Sequence, residues 1–133
     1  NLGYYYTDFG REYIRNSGAN SITGVSSNEF FNGGGTAYPL IGTGDTFYFH
    51  FGYLFGKSEH FSTRIQPNIA IQYSDFDGLK SKMFSYDLGL NLFFKGHDSK
   101  LSFAYQNRPI YNQAKELASR KGAFIVQYQI QIN

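Results

Sequence analysis

Phe124-Ile125-Val126-Gln127-Tyr128-Gln129-Ile130-Gln131-Ile132-Asn133 alternates bulky apolar side chains with glutamines. Along a strand successive side chains point to opposite faces, so Phe124, Val126, Tyr128, Ile130 and Ile132 share one face and Gln127, Gln129 and Gln131 the other. A face fit for lipid backed by a face fit for water is the pattern of a transmembrane barrel strand.

Working outward from this stretch, the same alternation recurs. Leu101, Phe103 and Tyr105 form one short run. Tyr86, Leu88, Leu90 and Leu92 alternate with Asp87, Gly89 and Asn91. Ile65, Pro67, Ile69, Ile71 and Tyr73 alternate with Gln66, Asn68, Ala70 and Gln72, and Phe47, Phe49, Phe51, Tyr53 and Phe55 with Thr46, Tyr48, His50, Gly52 and Leu54. Leu2, Tyr4 and Tyr6 open the chain in the same style. Short turns at 56–60 and 95–99 fall at one end of these strands, and longer connections, including a polar stretch at 108–121, fall at the other. Barrels of the outer membrane have this asymmetry, with the longer loops outside. The segment 8–45 has no sustained period and carries Gly33-Gly34-Gly35 and Gly42-Thr43-Gly44, so it is expected to be a long extracellular loop, folded into the lumen or gripping a neighbour. Pro67 removes a ladder donor, and a bulge near the strand start is the expected remedy.

Composition agrees with interleaving rather than clustering. The 133 residues are 20% aromatic, yet the mean hydropathy is −0.40. No run approaches the roughly 20 apolar residues of a membrane helix, which leaves a strand-built span open. There is no cysteine, hence no disulfide and no thiolate chemistry, and a net charge of +2 does not imply nucleic acid. The expected fold is an all-β, antiparallel transmembrane barrel. Six strands fall short of the roughly eight of the smallest single-chain barrels, and open edges in lipid leave backbone groups unpaired. Residues 1–133 therefore read as the C-terminal segment of one larger barrel domain, and the absence of an initial Met suggests a mature or truncated product.

Gly42-Thr43-Gly44-Asp45, Gly52-Tyr53-Leu54, Ile65-Gln66-Pro67, Leu88-Gly89-Leu90-Asn91, Gly96-His97-Asp98-Ser99-Lys100-Leu101 and Tyr105-Gln106-Asn107-Arg108-Pro109 occur in an order that resembles the phosphate-selective porin O and P family. The resemblance spans residue 42 to the end. It implies a 16-stranded, trimeric porin of which this chain is roughly the last third, and a tolerance of proline at the position of Pro67. One feature departs from the family: its phosphate-specific members line the pore with an arginine ladder, whereas the water-facing parity here offers mainly neutral amides and hydroxyls.

The expected pore-lining residues are His50, Gln66, Asn68, Gln72, Asp87, Asn91, Gln127, Gln129 and Gln131. Ile69, Ile71, Leu88, Leu90, Val126 and Tyr128 are expected to meet lipid. Phe47, Tyr73, Phe76, Phe84 and Phe124 would form an outer aromatic girdle, and Phe55, Phe61 and Phe94 an inner one. Arg108, Lys115, Arg120 and Lys121 read as a basic outer rim, either solvated and meeting anionic headgroups or attracting anions.

Sharper chemistry finds little support. Gly42-Thr43-Gly44 lacks the Gly-Lys-Ser/Thr and helix of a phosphate loop. Asp75-Phe76-Asp77-Gly78 starts like a calcium loop but has Tyr86 where the twelfth-position ligand belongs. His50, His60 and His97 lack a third metal ligand and give no serine a base. The reading is a non-enzymatic porin segment without cofactor, passing small polar or anionic solutes across the outer membrane, with membrane lipid as a partner and membership of a homotrimer or larger assembly. The rivals are a client or scaffold barrel of a larger outer-membrane complex and a soluble ligand-holding barrel.

Overall fold

The computed structural model describes residues 1–16, 31–32, 40–56, 63–94 and 99–130. Eight strands account for most of them: β1 (Leu2–Thr7), β2 (Ile14–Asn16), β3 (Leu40–Gly42), β4 (Gly44–Gly52), β5 (Arg64–Phe76), β6 (Met83–Phe93), β7 (Ser99–Tyr111) and β8 (Leu117–Ile130). Six of them form one antiparallel sheet in the order β1-β4-β5-β6-β7-β8, and β2 pairs with β3 in a small ribbon of its own. No helix among the described residues is long and apolar enough to cross a membrane.

The register converts the sequence alternation into two continuous surfaces. Across the strands run the rows Leu2–Phe49–Ile71–Tyr86 and Phe51–Ile69–Leu88–Tyr105–Phe124. On the opposite face run His50–Ala70–Asp87–Gln106–Ala123 and Gln66–Asn91–Ser102–Gln127. A slip of one residue in any strand would put large apolar side chains into the polar rows, so the alternation itself specifies the pairing. The strands from β4 to β8 are 9, 13, 11, 13 and 14 residues long. About 9 to 11 tilted residues span a bilayer, so each is long enough.

The segment 108–121 is not a polar loop. β7 continues to Tyr111 and β8 starts at Leu117, with a register irregularity between Ile110 and Tyr111. The connection shrinks to a tight turn. Lys115 adopts a left-handed backbone (φ 63°), its N–H donates to the Asn112 carbonyl at 2.9 Å, and Glu116 N–H donates to Asn112 Oδ1 at 3.0 Å. Nor does Pro67 require a bulge. It sits in regular register opposite Leu90, and Tyr53 N–H donates to its carbonyl at 3.1 Å. In an antiparallel ladder a residue's N and O point to the same neighbour, so the missing donor faces the chain just past the end of β4, where little pairing is lost.

The 8–45 segment contains structure that its composition hid. The β2–β3 ribbon folds onto the loop end of the sheet, where Leu40 is buried with Phe76, Met83 and Tyr111, and Ile14, Phe31 and Leu79 pack around them. Phe76 is therefore a core residue rather than part of an aromatic girdle: its parity is that of the polar face. Thr43, also buried, ties three pieces together. Its hydroxyl donates to the Gly10 carbonyl (2.6 Å) and accepts from Phe9 N–H (2.9 Å), while its own N–H and carbonyl bond Tyr13 and Asp77. Gly44 follows at φ +145°, with the Asp75 carbonyl where a Cβ would stand, so only glycine lets the chain pass from the ribbon into β4.

Burial is inverted relative to a water-soluble protein. Among the described residues five hydrophobic side chains are buried, whereas twenty-two large ones are exposed. Those twenty-two lie mostly on the apolar face, forming a patch far beyond the few hundred Å² usual on a soluble monomer.

Candidate functional site

Mid-sheet, the polar face is mainly a ladder of small and amide side chains, because alternation sends the bulky apolar residues of these strands to the other side. Asn91 Nδ2 donates to Gln66 Oε1 at 3.1 Å, directly across β5 and β6, and the Thr46 and Ser74 hydroxyls meet at 3.0 Å. His50 lies on this face beside Tyr48, with ring centroids 6.4 Å apart. Asn68 lies over Gly89, which has no side chain to obstruct it. Gln127 and Gln129 continue the face onto β8 by register with Ser102 and Lys100. Of the expected pore-lining set, Gln131 lies outside the described residues, as do His60, His97 and Phe61.

The four expected rim cations do not form one rim. Arg108 lies inside β7, only 8% exposed, on the polar face and directly opposite Lys121 of β8. Arg120, one residue away, is on the apolar face. Its guanidinium stacks 5.9 Å from the Phe84 ring centroid, and it donates to Asn107 Oδ1 at 2.6 Å and to the Phe84 carbonyl at 2.8 Å. Lys115 sits in the turn with its ammonium 5.8 Å from the Phe31 ring. A grouping by sequence proximity was wrong here because a strand, not a loop, carries three of the four, and a strand sends neighbours to opposite sides.

An inward segment, seen at 31–32 and 40–42, covers part of a cavity of about 300 Å³ on the polar face. Its wall is Tyr48, Gln72, Ser85, Asp87, Gln106 and Arg108, and its cover is Leu40 and Asn32. Asn32, 2% exposed, holds the cover down. Its Nδ2 donates to the Pro109 carbonyl and its Oδ1 accepts from Tyr111 N–H, both at 2.8 Å, and Phe31 N–H donates to the Tyr111 carbonyl at 2.8 Å. Pairing between β6 and β7 ends at Tyr86 and Asn107, so residues 109 and 111 have no β6 partner, and Asn32 and Phe31 meet their backbone groups instead. Inside the cavity, Asp87 Oδ1 is buried and accepts no hydrogen bond. An unmet buried acceptor costs about 1 to 3 kcal/mol unless water, an ion or a ligand meets it.

Parity could have added Tyr48, Ser85 and Gln106 to the site from sequence alone. Arg108 would follow by continuing the Leu101-Phe103-Tyr105 alternation three residues further. Asn32 and Leu40 carry no such signal, because they reach the site through tertiary folding of an aperiodic segment.

On the apolar face, near the same end of the sheet, an open cleft of about 500 Å³ is lined by Tyr4, Asp45, Phe47, Tyr73, Asp75 and Lys82. Its charged groups are matched: Lys82 Nζ lies 3.1 Å from Asp75 Oδ2, and the Tyr4 hydroxyl donates to Asp45. No group of three or more metal-ligating side chains occurs among the described residues.

Comparison with known proteins places the chain in no family: no family model, no curated protein and no solved structure matches it. The likeness to the phosphate-selective porin O and P family thus rests on the sequence fragments quoted above.

Proposed function

We propose that this sheet is part of the wall of an outer-membrane pore that passes small polar or anionic solutes by diffusion, without catalysis. The observation that carries the reading is the separation of its two faces: one continuous and apolar yet exposed, the other polar and folded over by the chain's own inward segment. A membrane barrel needs such a sheet, apolar toward lipid and polar toward a watery lumen. A soluble barrel would put its apolar face inside, and the cavity and its cover would then lie on the other side. In this reading the inward segment narrows the lumen, and the amide ladder lowers the cost of carrying a hydrated solute past it.

Two edges, β1 and β8, end the sheet. In hydrocarbon each unpaired backbone group costs several kcal/mol, so further strands must complete the barrel. A larger porin barrel, trimeric as the family likeness implies, supplies them within the same protein. The long exposed β8 also favours a second reading, in which another component of an outer-membrane assembly pairs with that edge and the barrel serves as client or scaffold. Single cysteines scanned along β6 and β8, labelled in intact membranes with an impermeant thiol reagent, test the pore. Labelling is expected at the Asn91 and Gln127 positions and not at Leu88, Leu90 or Val126; equal labelling of both parities would overturn it. Co-purification of a stoichiometric partner that is lost on altering β8 would favour the scaffold.

A further inference from the structure

We infer that the cavity beneath Asn32 and Leu40 is a binding site for a small, neutral, hydroxylated ring such as a monosaccharide. The inference rests on the pore reading for its route of access, but its chemistry is read from the cavity. Asp87 presents a buried oxygen with no hydrogen bond, which calls for a ligand donor. That bare carboxylate oxygen opposes an anion. A cation is opposed in turn by Arg108 in the same wall and by Lys121 directly across from Arg108. Opposite charges in one wall leave neither sign of ion an unopposed anchor. What remains is a neutral ligand rich in donors.

The other wall groups suit hydroxyls in particular. The amides of Gln72 and Gln106 each offer a donor and an acceptor, which adjacent hydroxyls can use together, and Ser85 can do either. Tyr48 and Leu40 give apolar surface against which the C–H face of a ring can lie. The volume of about 300 Å³ is at the small end of ligand sites, which span roughly 300 to 1,000 Å³, so it suits one ring rather than a chain. Few convergent polar groups on a part-apolar lining is the usual build of such a site.

The test is single-channel recording of the native protein in planar bilayers with glucose, glycine or inorganic phosphate added. Glucose at millimolar concentration is expected to interrupt the current, and Asp87→Asn, which keeps shape but removes the charge, should raise the half-blocking concentration at least tenfold. Asp75→Asn, on the other face, should leave it unchanged. Block by glycine or phosphate at equal or lower concentration, or indifference of glucose block to Asp87→Asn, would overturn the inference while leaving the pore intact. If no channel forms, the pore reading fails and calorimetric titration of glucose into detergent-solubilised protein decides the site alone. Heat that is lost in Asp87→Asn and retained in Asp75→Asn supports it, and no heat overturns it.

Discussion

At the scale of the residue, Asn32 carries more than its size suggests, because one amide satisfies a carbonyl and an N–H of β7 beyond Asn107, where pairing with β6 has ended. Asn32→Leu keeps the bulk and removes both bonds. It should cost about 1 to 3 kcal/mol, the usual penalty for stranded buried backbone groups, measured by denaturant unfolding in detergent. If the segment it anchors narrows the lumen, single-channel conductance should rise in the same variant. A second contrast tests the two faces. If the apolar face meets lipid as proposed, Leu88→Lys should cost about 2 to 4 kcal/mol, and Asn91→Lys much less. Comparable losses at both positions would argue against lipid on either side. The parity of these two residues was plain in the sequence, since each sits in an unbroken alternation. The importance of Asn32 was not, since it lies beside a run of glycines in a segment with no period.

At the scale of the element, the β7–β8 hairpin is closed by the Asn112–Glu116 turn and clipped to the β5–β6 connection by Lys80. Lys80 Nζ lies 2.9 Å from Glu116 Oε1, and Lys80 N–H donates to the Lys115 carbonyl at 3.0 Å. The hydrogen bond from Lys80 and its charge hold the Glu116 carboxyl below the ordinary glutamate value. A carboxyl with a depressed value in the folded state stabilises above its unfolded value, and that contribution is lost as pH falls through the folded value. The clip should therefore be intact at neutral pH and open only in acid, below the ordinary glutamate value. Both side chains are more than half exposed, so the effect on global stability is small, and hydrogen exchange of the turn amides is the sensitive measure. Glu116→Gln should abolish the acid-dependent step in that exchange. Replacing the expected 108–121 loop by this hairpin also moves Arg108 from an outer rim to the polar face.

At the scale of the whole molecule, the charges on the polar face decide what kind of selectivity to expect. Register places Arg64 and Lys100 on that face near its short-turn end, and Arg108 and Lys121 near the other end, with Asp87 between them. Four cations against one carboxylate exceed the neutral wall expected from sequence, yet they stand in two groups about eight residues apart along β7, roughly 26 Å at strand rise. Fields this far apart are separate at physiological salt, where screening acts within about 8 Å. Reversal potentials across a salt gradient should show a modest anion preference, reduced by the double change Arg108→Gln and Lys121→Gln. Micromolar phosphate blocking the chloride current would contradict this and would point to further cations on the strands that complete the barrel.

Alternation in the sequence determined that the chain is all-β, which side chains share a face, and the register that aligns the amides of neighbouring strands. It did so because a strand's period of two leaves one residue type no choice once its neighbour is placed. Where the alternation weakened, at 8–45 and 108–121, only the tertiary structure could decide. There the ribbon, the Thr43 junction, the burial of Phe76 and Arg108 and the Asn32 amide depend on contacts between segments far apart in sequence, and no local period records such contacts.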